Sequence, residues 1–351
     1  MLNTIKITGK YLDQPLLVAK FSKVVPSVLL GGATACTLHE VHKAPKEKKK
    51  KVAINTGFVM GATSIAALTA PKLAAKAVGR PYIKPDANKI IQNNTSLVNN
   101  FLAENKVSNT VGKILEKAKN KILSIKEISQ LNKEINNTQS GKQFMDKFVP
   151  KPENITSNDI VKDMARLSVL GAMPVVGGIA GGVAGDVVTD KPNWKKKLPN
   201  KIKEGAYQYL ANIFLCNVGA AGALGILEAA KVKSKAARAA GMVAGILATG
   251  VIGGSSIANF ISKKFINPMF DKNNTDSKNS GLYSERKPEA PDLCLHTDDV
   301  ATIAVMSGFK WIEPSLPILY AISGYRSGIG YRNGDKHQHH NKDKSSPPRA
   351  L

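Results

Sequence analysis

The stretch MPVVGGIAGGVAGDVV, residues 173–188, carries five glycines within nine residues among aliphatic side chains. In a water-exposed helix each interior glycine costs about 1 kcal/mol relative to alanine, so five cost roughly 4–5 kcal/mol. Helices in a bilayer, by contrast, associate through close backbone contact, which small residues spaced four apart provide. The stretch therefore predicts a membrane helix with two adjacent glycine faces, formed by Gly177, Gly181 and Gly185 and by Gly178 and Gly182.

The spacing of charged residues supports a membrane location for several further segments. Uncharged and mostly apolar runs occupy residues 24–38, 52–71, 167–185, 205–227 and 239–262. Four of these runs have the 19 to 24 residues that a helix needs to cross roughly 30 Å of hydrocarbon. A sixth region, 300–325, is interrupted by Lys310, Glu313 and two prolines, which predicts either a broken span or two short helices. The predicted fold class is all-α, a multi-span helical membrane protein with about five helices.

The glycine spacing recurs in the fifth run, where Gly241 and Gly245 are four residues apart. We predict that all seven glycines are helix-packing residues. The alternative is that they are loop glycines, or that they belong to a water-soluble helical bundle rich in glycine and alanine. A weak internal repeat, in which residues 54–79 align without gaps on residues 216–241, predicts two related helical hairpins, each closed by a lysine-rich loop.

These patterns divide the chain into six predicted segments. Residues 81–165 are read as a polar insertion with one amphipathic helix, whose apolar residues are Ile114, Ala118, Ile122, Ile125, Leu131 and Ile135. That helix is expected to pack on its own protein, to self-associate or to lie on an anionic membrane. The other segments are an N-terminal hairpin (1–80), glycine- and alanine-rich membrane helices (166–264), a polar linker (265–298), a broken C-terminal helical segment (299–330) and a disordered tail (331–351).

The formal charge of +24 favours polyanionic partners. Lysines concentrate in the loops 43–51 and 191–203, so the positive-inside rule places both loops on the cytoplasmic side. The basic loop 231–238 would then lie opposite, a conflict that the sequence leaves open. We predict membrane lipids as partners, together with a homo-oligomer or an acidic protein, and an integral location in the cytoplasmic membrane. Specific nucleic-acid binding is not predicted, because aromatic residues are not interleaved with the basic ones.

No motif predicts an enzyme. The glycine runs lack the Lys-Ser/Thr pair of a phosphate loop, and the chain has no nucleophile elbow, HExxH or paired-cysteine zinc spacing. Cys294, His296, Asp298 and Asp299 could ligate a metal, but Thr297 followed by two carboxylates is also typical of a helix start. We predict no catalytic residue, no cofactor and no metal.

The predicted function is that of a non-enzymatic membrane component, structural or membrane-organising, with glycine-faced helices and basic loops. One alternative is a channel or transporter built on the internal repeat. The scarcity of ionisable residues in the predicted spans argues against this alternative. A further alternative is a soluble helical protein of unknown activity.

Overall fold

The computed structural model describes residues 2–150, 157–232, 235–266, 268 and 312–330. Within these ranges the chain forms helices and no strand, so the all-α prediction is confirmed. Most of the predicted linker 265–298, the first part of the predicted segment 299–330 and the whole predicted tail 331–351 lie outside the described residues.

The helices are numbered in chain order. They are α1 (Leu2–Leu12), α2 (Pro15–Lys43), α3 (Lys49–Ala77), α4 (Ala87–Glu104), α5 (Asn109–Ala118), α6 (Ile125–Glu134), α7 (Gln139–Phe148), α8 (Ser157–Thr189), α9 (Trp194–Tyr209), α10 (Leu215–Ala229), α11 (Lys235–Ile246), α12 (Gly253–Ile261) and α13 (Leu316–Ile329). Short 3₁₀ turns at Lys46–Lys48 and Glu313–Ser315 precede α3 and α13. Three π-helical segments, Leu210–Phe214, Leu247–Ile252 and Ser262–Ile266, follow α9, α11 and α12.

Among the described residues, four helices are long and apolar enough to cross a membrane. They are Pro15–Lys43, Lys46–Ala77, Asn158–Thr189 and Trp194–Ala229, and they contain the first four predicted runs. The first run, short by itself, thus belongs to a helix of 29 residues. The fifth run, 239–262, differs from the prediction because π-helical segments divide it, and only the shorter stretch Ala237–Gly250 is recognisable there as an apolar helix.

The chain forms two compact units. Of the described residues, the smaller unit contains 2–26, 81–150 and 312–315, and the larger unit contains 27–80, 157–232, 235–266, 268 and 316–330. The boundary at Pro26 falls inside α2 and inside the segment 1–80 that the sequence predicts as one hairpin.

The smaller unit is built on large apolar side chains. Its core contains Leu115, Leu123, Ile128, Leu131 and Phe144, each almost fully buried. Gln14 is buried in the same unit, where its amide nitrogen donates to the Leu123 carbonyl (2.9 Å) and its amide oxygen accepts from the Leu123 nitrogen (2.8 Å). The two bonds satisfy a polar side chain that would otherwise be costly to bury.

The prediction of a single amphipathic helix within residues 81–165 is wrong, because the chain there forms α5 and α6 as separate helices. Ser124 starts α6 with a capping box, in which its hydroxyl accepts from the Glu127 nitrogen and the Glu127 carboxylate accepts from the Ser124 nitrogen. Ile114, Ala118, Leu131 and Ile135 are nevertheless buried, whereas Ile125, the first residue of α6, is exposed. The apolar faces of both helices therefore pack into the unit's own core.

Candidate functional site

The glycines of α8 lie between two helices of the larger unit. On one side α8 runs antiparallel to α3, and the glycines at 177, 181 and 185 face that helix. A Cβ atom on Gly177 would lie 2.8 Å from the Ala62 carbonyl oxygen, and one on Gly185 would lie 2.9 Å from the Asn55 Cα. Gly181 lies between them, where a Cβ atom would come within 2.8 Å of the Ala62 Cβ. Only glycine fits these positions without a shift of the neighbouring helix.

The second glycine face of α8 meets α13, which runs parallel to it. A Cβ atom on Gly178 would overlap the carbonyl oxygen of Gly324, and one on Gly182 would overlap the carbonyl oxygen of Gly328. The partner glycines are themselves four residues apart, and a Cβ atom on Gly324 would overlap the Pro174 carbonyl oxygen in return. The two adjacent faces predicted from spacing therefore point to two different neighbours.

The remaining pair of predicted glycines lies on α11 and faces α10. A Cβ atom on Gly245 would lie 2.9 Å from the Ala223 Cβ and would overlap the Gly219 carbonyl oxygen. Gly241 faces the Leu227 side chain, at 2.5 Å from Cδ1. All seven predicted glycines thus lie at close helix contacts within the chain.

Ion pairs hold the α3 and α8 pair at one end. Gly79, with φ of +66°, follows α3, and the Arg80 nitrogen donates to the Ala75 carbonyl in the turn that ends the helix. The Arg80 guanidinium reaches α8, where it lies 2.6 Å from Asp163 Oδ1 and 3.0 Å from Asp159 Oδ1.

A charged cluster at the other end of α8 centres on Asp186, which is buried. Its Oδ1 accepts a hydrogen bond from the Asn55 amide (3.0 Å) and lies 3.2 Å from Lys197 Nζ, while its Oδ2 lies 3.2 Å from Lys201 Nζ. A buried carboxylate needs such partners, because an uncompensated charge there costs several kcal/mol. We call these four side chains, with Lys51 and Asp190, the Asp186 cluster.

Lys201 is the deepest cation of the Asp186 cluster, with only 4% of the residue exposed. Its ammonium also donates to the Gly328 carbonyl oxygen at the contact between α8 and α13. A Cβ atom on Gly182 would lie 3.0 Å from Lys201 Nζ, so the glycine at this position leaves room for the ammonium. Glycine packing and charge pairing therefore depend on each other here.

Asp190 forms the half-buried edge of the Asp186 cluster. It lies 2.7 Å from Lys197 Nζ and 3.2 Å from Lys51 Nζ, and it accepts from the Asn193 amide at 2.9 Å. The hydrogen bond from Lys197, followed by those from Asn193 and Lys51, holds the pKa of the Asp190 carboxyl well below its usual range. Asp190 therefore stays ionised and joins the N-terminal end of α3 to the C-terminal end of α8.

A second polar group continues along the same face of α9. Glu204 is almost fully buried; it lies 3.5 Å from Arg326 Nε of α13 and accepts from the Gln208 amide at 2.8 Å. The Asn212 amide in turn donates to Gln208 Oε1 at 3.0 Å. Lys197, Lys201, Glu204, Gln208 and Asn212 are spaced by four, three, four and four residues, which places them on one face of the helix.

The sequence prediction missed most of this polar face. It took Asp186 and Glu204 as the limits of apolar runs and residues 191–203 as a loop, whereas Trp194 already begins α9. The three-and-four spacing of the polar residues was the available signal. Lys201, Lys203 and Glu204 are buried in the same long helix, Trp194–Ala229, just before the predicted run 205–227.

Among the described residues, no group of three or more His, Cys, Asp or Glu side chains is placed to hold a metal ion. The candidate ligands Cys294, His296, Asp298 and Asp299 lie outside the described residues. What the Asp186 cluster can do chemically is pair charge within a low-dielectric helix bundle, or exchange a proton between a carboxylate and an amine.

The chain was compared with protein-family models, with curated proteins and with solved structures, and none of the three comparisons gave a match.

Proposed function

We propose that the protein is a non-enzymatic integral membrane protein with a structural or membrane-organising role. The observation that carries the proposal is apolar exposure on the helices of membrane length. Leu30 of α2 is 56% exposed, Ile65 of α3 is 67% exposed and Ile226 of α10 is 72% exposed. Large apolar surfaces of this kind are rare on water-soluble monomers, and in lipid they carry no penalty.

In this proposal the seven glycines let helix backbones approach closely inside the lipid bilayer. The bilayer provides no hydrophobic driving force for helix association. Lipid tails are as apolar as leucine, so packing and interhelical hydrogen bonds have to stabilise the bundle. The close contacts of α8 with α3 and α13 support this role. The Asp186 cluster acts as a polar lock, because its charges are paired inside the bundle and fix the register of α8 against its neighbours.

The lysine-rich ends supply the contact with anionic lipid or an acidic partner. Lys51 and Lys197 both pair with Asp190, so the lysines at 46–51 and 191–197 belong to the same end of the α3 and α8 pair. We propose that this end faces the cytoplasm, in accord with the positive-inside rule, and that the membrane is the cytoplasmic membrane.

Carbonate extraction and cysteine labelling test the proposal together. The protein should stay with the membrane pellet at high pH. In a variant without native cysteines, Lys48→Cys and Lys196→Cys should react with an impermeant thiol reagent from one side, and Lys231→Cys from the other. Recovery of the protein in the carbonate supernatant, with all three positions equally reactive, would contradict the proposal and favour a soluble helical bundle.

A channel or transporter is the second candidate, and the buried Asp186, Lys201 and Glu204 favour it. Ionisable residues inside membrane helices are costly and commonly mark solute or proton pathways. This role predicts that Asp186→Asn or Glu204→Gln abolishes proton or cation flux in reconstituted vesicles while the protein remains folded. Equal flux from wild-type vesicles and from empty ones would reject it and leave the structural role.

A further inference from the structure

Three lysine-bearing segments lie at one end of the larger unit. Two of them are the starts of α3 and α9. Lys51, near the start of α3, lies 3.2 Å from the Asp190 carboxylate, and Lys197, near the start of α9, lies 2.7 Å from it. Because both lysines contact the same carboxylate, the lysines next to them in the chain belong to one surface.

The third segment is the π-helical stretch Ser262–Ile266, which packs against α9. Its position follows from the residues before it. A Cβ atom on Gly254 would lie 3.1 Å from the Ala211 Cα. Four residues further along α12, Ala258 shares a core with Tyr207, which is four residues nearer the start of α9. The chain therefore runs back along α9, and Ser262–Ile266 lies beside the first half of that helix.

Six of the lysines on these segments are exposed and make no ion pair with any described residue. They differ from Lys51, Lys197 and Lys201, whose ammonium groups are held by the carboxylates of the Asp186 cluster. Glu47, also exposed, offsets one of the six charges. The surface is therefore strongly positive and uncompensated within the described chain. We call the six side chains the lysine collar: Lys46, Lys48, Lys50, Lys195, Lys196 and Lys264.

Aromatic side chains lie beside the lysine collar. The Lys264 ammonium lies 5.6 Å from the centroid of the Phe260 ring and 5.7 Å from that of Phe265. These two phenylalanines are 59% and 55% exposed. The Lys195 ammonium lies 5.7 Å from the centroid of the Trp194 ring. Tryptophan is enriched where a membrane meets water, at the level of the lipid headgroups, and exposed phenylalanine is favourable next to hydrocarbon.

The lysine collar also lies at the depth of the lipid phosphates. Lys50 is two residues before the apolar run 52–71, and Lys264 is two residues after the run 239–262. At 1.5 Å per residue each offset is about 3 Å. The headgroup layer extends roughly 5–7 Å beyond the hydrocarbon on each side, and a lysine side chain directs its charge outwards into that layer. The ammonium groups of the collar therefore reach the phosphates.

We propose that the lysine collar binds the phosphate groups of anionic phospholipids and holds a shell of these lipids around this end of the larger unit. The inference rests on the proposed membrane location and narrows the contact proposed there, with anionic lipid or an acidic partner, to lipid. An acidic protein fits less well, because it would have to displace the headgroups that surround the collar at this depth. Arg80 and Arg238, at other helix ends, instead pair with carboxylates of their own chain.

Quenching of tryptophan fluorescence by brominated lipids tests the proposal. The chain has two tryptophans, so the full-length variant Trp311→Phe reports from Trp194 beside the collar. The variant is reconstituted in phosphatidylcholine vesicles that contain brominated phosphatidylglycerol or brominated phosphatidylcholine at the same mole fraction. The anionic lipid should be enriched near Trp194 about fivefold or more, since one lysine near an anionic surface already contributes roughly that factor. Equal quenching by the two lipids overturns the proposal.

Matched lysine variants distinguish the lysine collar from the total charge of the protein. Lys48→Gln/Lys195→Gln/Lys196→Gln removes three collar charges and should bring the enrichment close to one. The control, Lys72→Gln/Lys76→Gln/Lys231→Gln, removes three exposed lysines at other helix ends and should keep it. Circular dichroism should show both triple variants to be as helical as the wild type, because these lysines make no ion pair with described residues. Equal loss of enrichment in both variants contradicts the proposal.

Soluble anions and the unmodified protein complete the test. At matched ionic strength, neither inorganic phosphate nor polyglutamate should displace the brominated phosphatidylglycerol. Displacement by polyglutamate would assign the lysine collar to an acidic protein, and displacement by phosphate would assign it to a free anion. If a variant does not fold, native mass spectrometry of the wild-type protein decides: it should retain phosphatidylglycerol in preference to phosphatidylcholine, and equal retention of the two lipids rejects the proposal.

The outcomes also distinguish this inference from the proposed function. If the wild-type protein is extracted by carbonate, the membrane proposal fails and the inference fails with it. If the wild-type protein stays in the membrane and shows no preference for anionic lipid, only the inference fails.

Discussion

The two units of the molecule are both helical but begin their helices differently. In the smaller unit α4, α5, α6 and α7 each follow a residue whose side chain accepts a hydrogen bond from the first turn, namely Asp86, Ser108, Ser124 and Thr138. In the larger unit α3 and α9 begin after Lys48 and Asn193 with no such bond from the side chain. Side-chain caps typically add about 1 kcal/mol to a helix in water.

The cores differ in the same sense. The smaller unit packs aromatic rings, with the Phe101 and Phe144 centroids 4.8 Å apart and those of Phe144 and Phe148 5.7 Å apart. The larger unit packs backbone against backbone at Gly178, Gly324 and their neighbours. In water the burial of large apolar side chains stabilises a fold, whereas in lipid close packing between helices does so. The glycine contacts of the larger unit are therefore in accord with the proposed membrane location of its long helices.

The largest effect is expected when a side chain is added at a glycine contact of the larger unit. Gly178→Leu places a side chain where the Gly324 carbonyl oxygen lies, so we expect it to prevent the α8 and α13 contact and to destabilise the larger unit by more than about 4 kcal/mol. Denaturation of the purified protein by SDS, followed by circular dichroism, measures the loss. Gly222→Leu is the control, because a Cβ atom there meets no described atom within 4 Å. Equal stability of the two variants would mean that α8 and α13 do not pack as described.

Removing one charge from the Asp186 cluster should have the next largest effect. Lys201→Met leaves the buried Asp186 with only Asn55 and Lys197, and breaking a buried pair in this way commonly costs about 3–5 kcal/mol. The double variant Asp186→Asn/Lys201→Met removes both charges and should recover most of the lost stability. The same SDS titration compares the two variants. A double variant as unstable as Lys201→Met would show that charge compensation is not what the ion pair contributes.

The long apolar helices α3 and α8 of the larger unit were predictable because their length and glycine spacing are local properties of the chain. The run 167–185 identifies α8, and four-residue spacing separates the face of Gly177 from that of Gly178. The α5 and α6 boundary was also readable, since Ser124 and Glu127 have the spacing of a capping box. The predicted repeat of residues 54–79 stays a prediction.

The charged cluster could not be predicted in the same way, because its partners are distant in the chain. Asp186 pairs with Asn55, 131 residues away, and Lys201 donates to Gly328, 127 residues away. From sequence alone, a lysine-rich stretch with Pro199 resembles a loop, because its burial by neighbouring helices is not visible in the sequence. The burial of Lys201 depends on the room left by Gly182, and spacing along one helix does not report the volume between three helices.

The smaller unit should respond to the opposite change, the removal of volume. Leu115→Ala creates a cavity in the core that also contains Leu131 and Phe144, and a core deletion of this kind costs about 2–5 kcal/mol. Hydrogen exchange of the full-length protein, read by mass spectrometry, should show lost protection in peptides from α5 and α6. Leu102→Ala, at a partly buried position on the edge of the core, should lose less. Comparable loss from both variants would mean that the core is loosely packed.

The capping box of α6 gives the smallest expected effect and a dependence on pH. Burial alone would raise the pKa of Glu127, but hydrogen bonds from Lys117 (2.6 Å) and from the Ser124 nitrogen (2.7 Å) outweigh it and hold that pKa below its ordinary range. The carboxylate therefore adds stability above the pKa of an unfolded glutamate, and this stability is lost as the pH falls through the depressed folded value.

Glu127→Gln removes the charge and should cost the smaller unit about 1 kcal/mol at neutral pH. The difference from wild type should shrink between about pH 5 and pH 3, because the wild-type carboxylate then takes up a proton. Hydrogen exchange of peptides from α6, measured at about pH 5 and about pH 3 and corrected for intrinsic rates, gives the difference in stability between Glu127→Gln and wild type. Glu116→Gln is the control, since that side chain is more exposed and pairs only within its own turn, with Lys119. A constant difference across the pH range would mean that the amide replaces the carboxylate's hydrogen bonds and that charge contributes nothing to the cap.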